Sequence, residues 1–277
     1  MSKKSSSKTN FLAQGTILVI ASFVAKAIGM IYRIPLTHIL GDDGNGYYST
    51  ANEIYTIILM ISSFSLPLAV SRLVAEREYA GEVKNSYKVL ICSLRFAAVT
   101  GGILSILTFL LGGVITKYVM GVELASYALR VLAPAIFLFA LTGVLRGFFQ
   151  GHGTMVPTAV SQIIEQIINA IVSVAGAYVM LQYGLKLGEK KGDAELGTAL
   201  AAAGGTFGTV ASVGVALLFM IVIYLGYRNG FKRRMKKDKT RRRESDRAIY
   251  RAITYTILPI VLSTLVYNIS TIIDQGV

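Results

Sequence analysis

Lys26 and Arg33 are the residues of this chain best suited to hold a charged ligand. With Ser22 and Gly29 they fall at i, i+4, i+7 and i+11 of one apolar run, so a helix would line all four on a single face. A cation inside a membrane-length helix is expensive unless it faces a water-filled cavity or finds a partner. Two of them on one face therefore point to a water-filled cavity or to facing partners. The plainer reading is that each long side chain snorkels to the nearest interface. Arg33 lies near a span end and Lys26 nearer the middle.

A second constellation lies in RGFFQGHGTMVPTAVSQIIEQIINAIVS, from Arg146 to Ser173. Ser161, Gln162, Glu165, Gln166, Asn169 and Ser173 share one face of an otherwise Ile-, Val- and Ala-rich helix. Such a stripe must meet a wet or protein-filled interior. Ser49, Asn52, Glu53 and Thr56 form another, and Glu53 is a candidate counter-charge for Lys26 or Arg33. Gly147, Gly151 and Gly153 read as a turn that carries Arg146 and His152, with Pro157 opening the next helix. Arg72, Arg146 and Gln150 are the candidates for a gate at the cytoplasmic turns.

The elements that position these residues are membrane spans. The mean hydropathy is +0.58, and charged residues make up only 16% of the 277, against about 25% in ordinary soluble domains. A spanning helix needs about 20 mostly apolar residues. Seven segments qualify, near residues 11–36, 48–75, 87–115, 124–146, 156–183, 196–226 and 252–275. Pro35 is expected to end or kink the first, and Pro67 to kink the second. GDDGNG (41–46) and the stretch after Tyr183 read as outside loops, and residues 72–88 as a solvated inside turn. Gly204 and Gly208 form a small-residue pair, extended by Ala201, Gly205 and Ala211, for close helix packing. The last span carries Asn268 and Asp274.

The net charge of +13 is concentrated. Lys3, Lys4 and Lys8, the 72–95 stretch, Arg146 and the run from Arg228 to Arg251 fall on one side of this topology, and only Lys117, Lys186, Lys190 and Lys191 on the other. The positive-inside rule then predicts a cytoplasmic N-terminus. Residues 1–10 form a cytoplasmic tail, 11–227 a six-helix lobe, 228–250 a basic linker and 251–277 the first helix of a second lobe. The linker reads first as a topogenic segment and second as a contact for anionic lipid. No fold around it would present it to nucleic acid. One cysteine, Cys92, excludes a disulfide framework. The apolar run after the cationic tail continues through Lys26 and Arg33, so it reads as an uncleaved span rather than a leader.

Polar stripes, membrane-embedded ions and prolines in most spans are features of carriers, whose sites open alternately to either side. SFVAKAIGMIYRIPL (Ser22–Leu36), LPLAVSRLVAE (Leu66–Glu76) and RGFFQGHGTMVPTAVSQIIEQ (Arg146–Gln166) resemble the MOP flippase superfamily of multidrug, oligosaccharidyl-lipid and polysaccharide exporters. Within it they are similar to the stage V sporulation protein B-like and MurJ-type lipid II flippase group. The resemblance implies an all-α, MATE-like membrane protein with two six-helix lobes, of which this chain holds the N-terminal lobe and a seventh helix. It also implies a bacterial plasma-membrane location and alternating-access transfer of an undecaprenyl-pyrophosphate-linked saccharide to the outer leaflet. Lys26 and Arg33 match the family's pyrophosphate-holding cations by type and face. No cofactor is implied beyond a coupling ion or the membrane potential. The partners implied are the lipid-linked saccharide, membrane lipids and a second lobe from the same polypeptide or another chain. Three other readings stay open. A cation-coupled drug antiporter of the same superfamily would put acids in the cavity, and a scaffold half would transport nothing. A membrane enzyme would need a catalytic or metal site that the short loops and the isolated His38 and His152 do not offer.

Overall fold

The computed structural model describes the backbone of residues 2–275 except 194, 241 and 242. Side chains are described for residues 14–263, except at those three positions and at 61 and 260; Asn268 and Asp274 lie outside this set. The described chain is helical: α1 (Ser2–Ser62), α2 (Leu66–Tyr79), α3 (Val83–Val114) with a π-turn over Ile115–Val119, α4 (Ala125–Gly151), α5 (Val156–Lys191), α6 (Leu196–Lys237) and α7 (Asp246–Gln275). Five of these are long and apolar enough to cross a membrane. Phe23, Met30, Ile34, Leu110, Leu218 and Val222 are all more than 60% exposed, as lipid-facing side chains are.

Helix α1 is two arms. Its helical geometry is interrupted at Gly41 (φ 65°, ψ −173°), a conformation open to glycine and strained for other residues. The chain doubles back there, so that Leu36 and Tyr48 flank the same Gly205 on α6. The helix does not end at Pro35 but runs on through it, and most of GDDGNG is helical. The second arm ends at Ser62, and after three intervening residues α2 starts at Leu66 with Pro67 in its first turn, where a missing N–H is free.

Packing is governed by glycines four residues apart. Gly143, Gly147 and Gly151 do not make a turn; they form a groove along α4 that seats α2. A methyl on Gly147 would lie 2.5 Å from the Pro67 carbonyl oxygen, and one on Gly151 2.6 Å from Val74 Cβ. Only Gly153 (φ 78°) serves the turn itself. The same device joins α5 to α6. Gly176 faces Gly204, Gly184 faces Gly197, and Gly208 lies directly on Ser173. Helix α5 therefore runs on to Lys191, well past the expected exit at Tyr183, because Gly184 and Gly188 are contact residues rather than loop residues.

The basic end is similarly ordered. Helix α6 continues to Lys237, so the basic run begins as helix and only a short strap precedes Asp246. The acids within the run hold it to α2 and α3. Glu244 pairs with Arg77 at 2.8 Å, Asp246 with Lys88 at 2.7 Å, and the Asp238 carboxylate accepts from the Lys84 N–H at 2.7 Å. Ile249 and Ile253 then bury completely in the core formed with Val89, Leu90, Phe148 and Met220. At the same end Glu78 of α2 contacts Arg234 of α6 and lies 3.2 Å from His152 Nε2, while Phe148 and Phe231 flank the imidazole. Burial alone would raise the Glu78 carboxyl, but His152 and Arg234 outweigh it and hold it at about 2.

Two predictions follow from these contacts. Gly208→Leu drives a side chain into the Ser173 backbone and should lower the thermal midpoint in detergent by the equivalent of at least about 1–3 kcal/mol. Gly214→Ala, where a methyl would have its nearest neighbour atom 3.8 Å away, should not lower the midpoint. For Glu78, the depressed value means its stabilising contribution is complete above about 4.5 and is lost as pH falls toward about 2. Glu78→Gln should therefore flatten the acid limb of a melting-temperature profile over that window.

Candidate functional site

The polar stripe of α5 divides into two sets. Ser161, Asn169 and Ser173 are buried and bonded within the lobe. Asn169 Nδ2 donates to the Tyr32 hydroxyl at 3.0 Å, and Ser173 Oγ donates to Asn169 Oδ1 at 2.9 Å. Tyr32 in turn hydrogen-bonds Tyr48 of the returning arm, whose carbonyl accepts from Asn52 Nδ2 at 3.0 Å. The network crosses between helices and fixes the two arms of α1 against α5. Gln162, Glu165 and Gln166 are only half-buried and border the α1 face. Gln162 Oε1 is enclosed without a hydrogen-bond partner among the described residues.

Arg146 lies inside α4, 6% exposed, and not in the turn where the sequence placed it. Its Nε donates to Ser161 Oγ at 2.9 Å and its terminal nitrogen to Glu165 Oε2 at 2.7 Å. Glu165 thus meets Arg146 rather than Lys26 or Arg33, with Tyr55 also in electrostatic reach. Charge pairs removed from water cost desolvation energy, so both members must stay matched. Gln150 contacts Thr158 Oγ1 at 3.4 Å across the turn. Arg72 is apart from this group, exposed on α2 and paired with Glu76 one turn along.

Lys26 and Arg33 project from the first arm and are exposed. Gly29, between them on the same face, looks onto Gln166: a methyl there would be 3.7 Å from Gln166 Oε1. Arg33 is within electrostatic reach of Tyr48. Among the described residues neither cation has an ion pair. Glu53, the expected counter-charge, is exposed on the second arm and pairs with neither. The arrangement is a cationic face on α1 beside a carboxamide face on α5. It can bind an anion and hydrogen-bond polar groups attached to it. Among the described residues no group of three His, Cys, Asp or Glu could hold a metal.

Residue types alone did not single out Tyr32 and Tyr48, which complete the network, or Tyr55, which lies within electrostatic reach of Glu165. Tyr48, Asn52 and Tyr55 are spaced i, i+4, i+7, and that pattern was the available signal.

Removing one partner of a buried ion pair strands the other. Arg146→Met should cost about 3–5 kcal/mol of stability, read as a lowered thermal midpoint. Arg146→Met combined with Glu165→Leu should recover most of it; no recovery would mean the pair is not the source of the loss.

Residues 11–275 match the polysaccharide biosynthesis protein family. The chain is 27% identical over 217 residues to stage V sporulation protein B of Bacillus subtilis, covering 78% of this chain and 39% of that protein. It is 29% identical over 180 residues to the lipid II flippase MurJ of the same organism, covering 62% and 33%. It therefore spans well under half the length of these relatives. In fold it is similar to a multidrug resistance MATE family transporter of the MOP superfamily in an outward-facing conformation. There the TM-score is 0.75 at 20% identity, over 96% of this chain and 55% of that one. A MOP superfamily transporter from Pyrococcus furiosus gives a TM-score of 0.71 at 19% identity, over 96% and 54%. This membrane chain, helical throughout its described residues and folded like a MATE lobe with one further helix, belongs to the polysaccharide biosynthesis protein family.

Proposed function

We propose that the chain forms one wall of the path by which a lipid-linked anionic saccharide crosses the bacterial plasma membrane. The substrate is a polyprenyl-pyrophosphate-linked precursor of cell wall or polysaccharide, moved from the inner to the outer leaflet. The second wall is another lobe, from the same polypeptide or another chain, and access alternates between the two.

The observation that supports this reading most is the cation pair on α1. Lys26 and Arg33 share a face, have no ion pair among the described residues, and flank the glycine that looks onto Gln166. A diphosphate between them would supply the missing counter-charge through charge-assisted hydrogen bonds. Gln162, with its unmet carbonyl oxygen, and Gln166 would then meet sugar or peptide hydroxyls and amides. The acids do not favour a cationic substrate: Glu165 is committed to Arg146. On the predicted orientation the N-terminus is cytoplasmic.

The test is flipping of a polyprenyl-pyrophosphate-linked sugar in proteoliposomes carrying the full-length polypeptide. A hydrogen bond to a charged group is worth roughly 1.5–3 kcal/mol, so Lys26→Glu or Arg33→Glu should each slow flipping by about tenfold or more without loss of folded protein. Gln162→Leu and Gln166→Leu should slow it more than Ile163→Leu. Normal flipping by Lys26→Glu would remove the anion-binding face, and equal effects of the Gln and Ile variants would reduce the stripe to packing.

A further inference from the structure

The basic end holds a cavity that the transport path does not use. It has a volume of about 370 Å³ and lies among α3, the end of α6, the strap and the start of α7. Lys84, Lys88, Ile91, Cys92 and Arg95 line it from positions i, i+4, i+7, i+8 and i+11 of α3. One helix face therefore supplies both a ladder of cations and an apolar wall. Arg243 and Asp246 complete the rim.

The charges in this cavity do not balance. Lys88 and Arg95 share the Asp246 carboxylate, at 2.7 and 3.5 Å. Lys84 has the carbonyl oxygen of Asp238 at 2.8 Å and that residue's carboxylate nearby. Arg243 has no ion pair among the described residues, and the Arg95 side chain is still 64% exposed. Along the helix, Arg95 lies about 16 Å from Lys84, on a face that continues into the exposed apolar residues Val99, Ile103 and Ile106. An arginine at that depth is stabilised by a phosphate that is itself attached to something apolar.

We propose that this cavity binds a phosphate anion at the membrane surface, held by Lys88, Arg95 and Arg243, with an anionic phospholipid headgroup as its source. On the predicted orientation this is the cytoplasmic leaflet. The site is independent of the α1 cations and of the transport reading.

The experiment is native mass spectrometry of the full chain in detergent, titrated with dioleoyl phosphatidylglycerol or dioleoyl phosphatidylcholine. One phosphatidylglycerol should be retained in preference to phosphatidylcholine. Arg95→Gln and Arg243→Gln should each weaken its retention about fivefold, the share of one basic residue near an anionic surface. Lys232→Gln, an exposed cation of α6 outside the cavity, should change it less than twofold. Retention that survives excess glycerol 3-phosphate identifies the lipid as the source. Displacement by glycerol 3-phosphate keeps the phosphate site and assigns it to a soluble phosphate compound. Equal retention of the two lipids would overturn the proposal, as would a Lys232→Gln loss as large as the two arginine losses. The lipid preference of the unaltered chain stands as a test even where a variant misfolds.

Discussion

Everything in this lobe depends on helix backbones coming closer together than side chains normally permit. In lipid, apolar side chains gain nothing by leaving one apolar surface for another, so helices associate through contact and hydrogen bonding. Glycines at four-residue spacing make that contact possible. Gly143, Gly147 and Gly151 let the α2 backbone lie in the surface of α4, and Gly176, Gly204 and Gly208 do the same between α5 and α6. With α6 packed against both α4 and α5, Arg146 near the end of α4 reaches Ser161 and Glu165 in the first turns of α5.

That close framework is what makes a polar interior tolerable. Each buried hydroxyl, amide or charge in an apolar medium needs a partner at bonding distance. The chain Ser173–Asn169–Tyr32–Tyr48 meets this requirement helix by helix, and Arg146 with Glu165 meets it for charge. Among the described residues, Lys26, Arg33, Gln162 and Gln166 have no ion pair or side-chain hydrogen bond of this kind. They lie along one border between α1 and α5. The division between polar groups that hold the lobe together and polar groups left without a protein partner is thus a matter of reach, not of residue type.

The basic end follows a different rule. It carries a large positive excess, yet its order comes from the few acids within it. Asp238, Glu244 and Asp246 each anchor the strap to α2 or α3, and Glu78 draws Arg234 and His152 together. Exposed pairs such as Arg72–Glu76 add little by themselves. The ordering of the strap rests on several pairs acting with the burial of Ile249 and Ile253.

The sequence by itself determined the helical membrane class and the clustering of charge along the chain. It also determined the faces of Lys26–Arg33 and Ser161–Asn169, because all of these are local periodicities of composition. The small-residue face of α6 was legible for the same reason. Tertiary structure alone decided what each polar group meets. Arg146 at the end of an apolar run looks like a membrane exit, and becomes a buried partner of Glu165 only because the short turn after α4 brings the start of α5 back beside it. Gly147, Gly151, Gly184 and Gly188 look like turn residues, since glycine favours turns and also permits close approach. Only a facing backbone, supplied by α2 for Gly147 and Gly151, by α6 for Gly184 and by Asp193 for Gly188, selects the second use. Glu53 was paired with the α1 cations by charge alone, and the reversal at Gly41 leaves it exposed and apart from them. Sequence spacing fixes the direction of a side chain on its own helix; the distance to another helix is a property of the packed lobe.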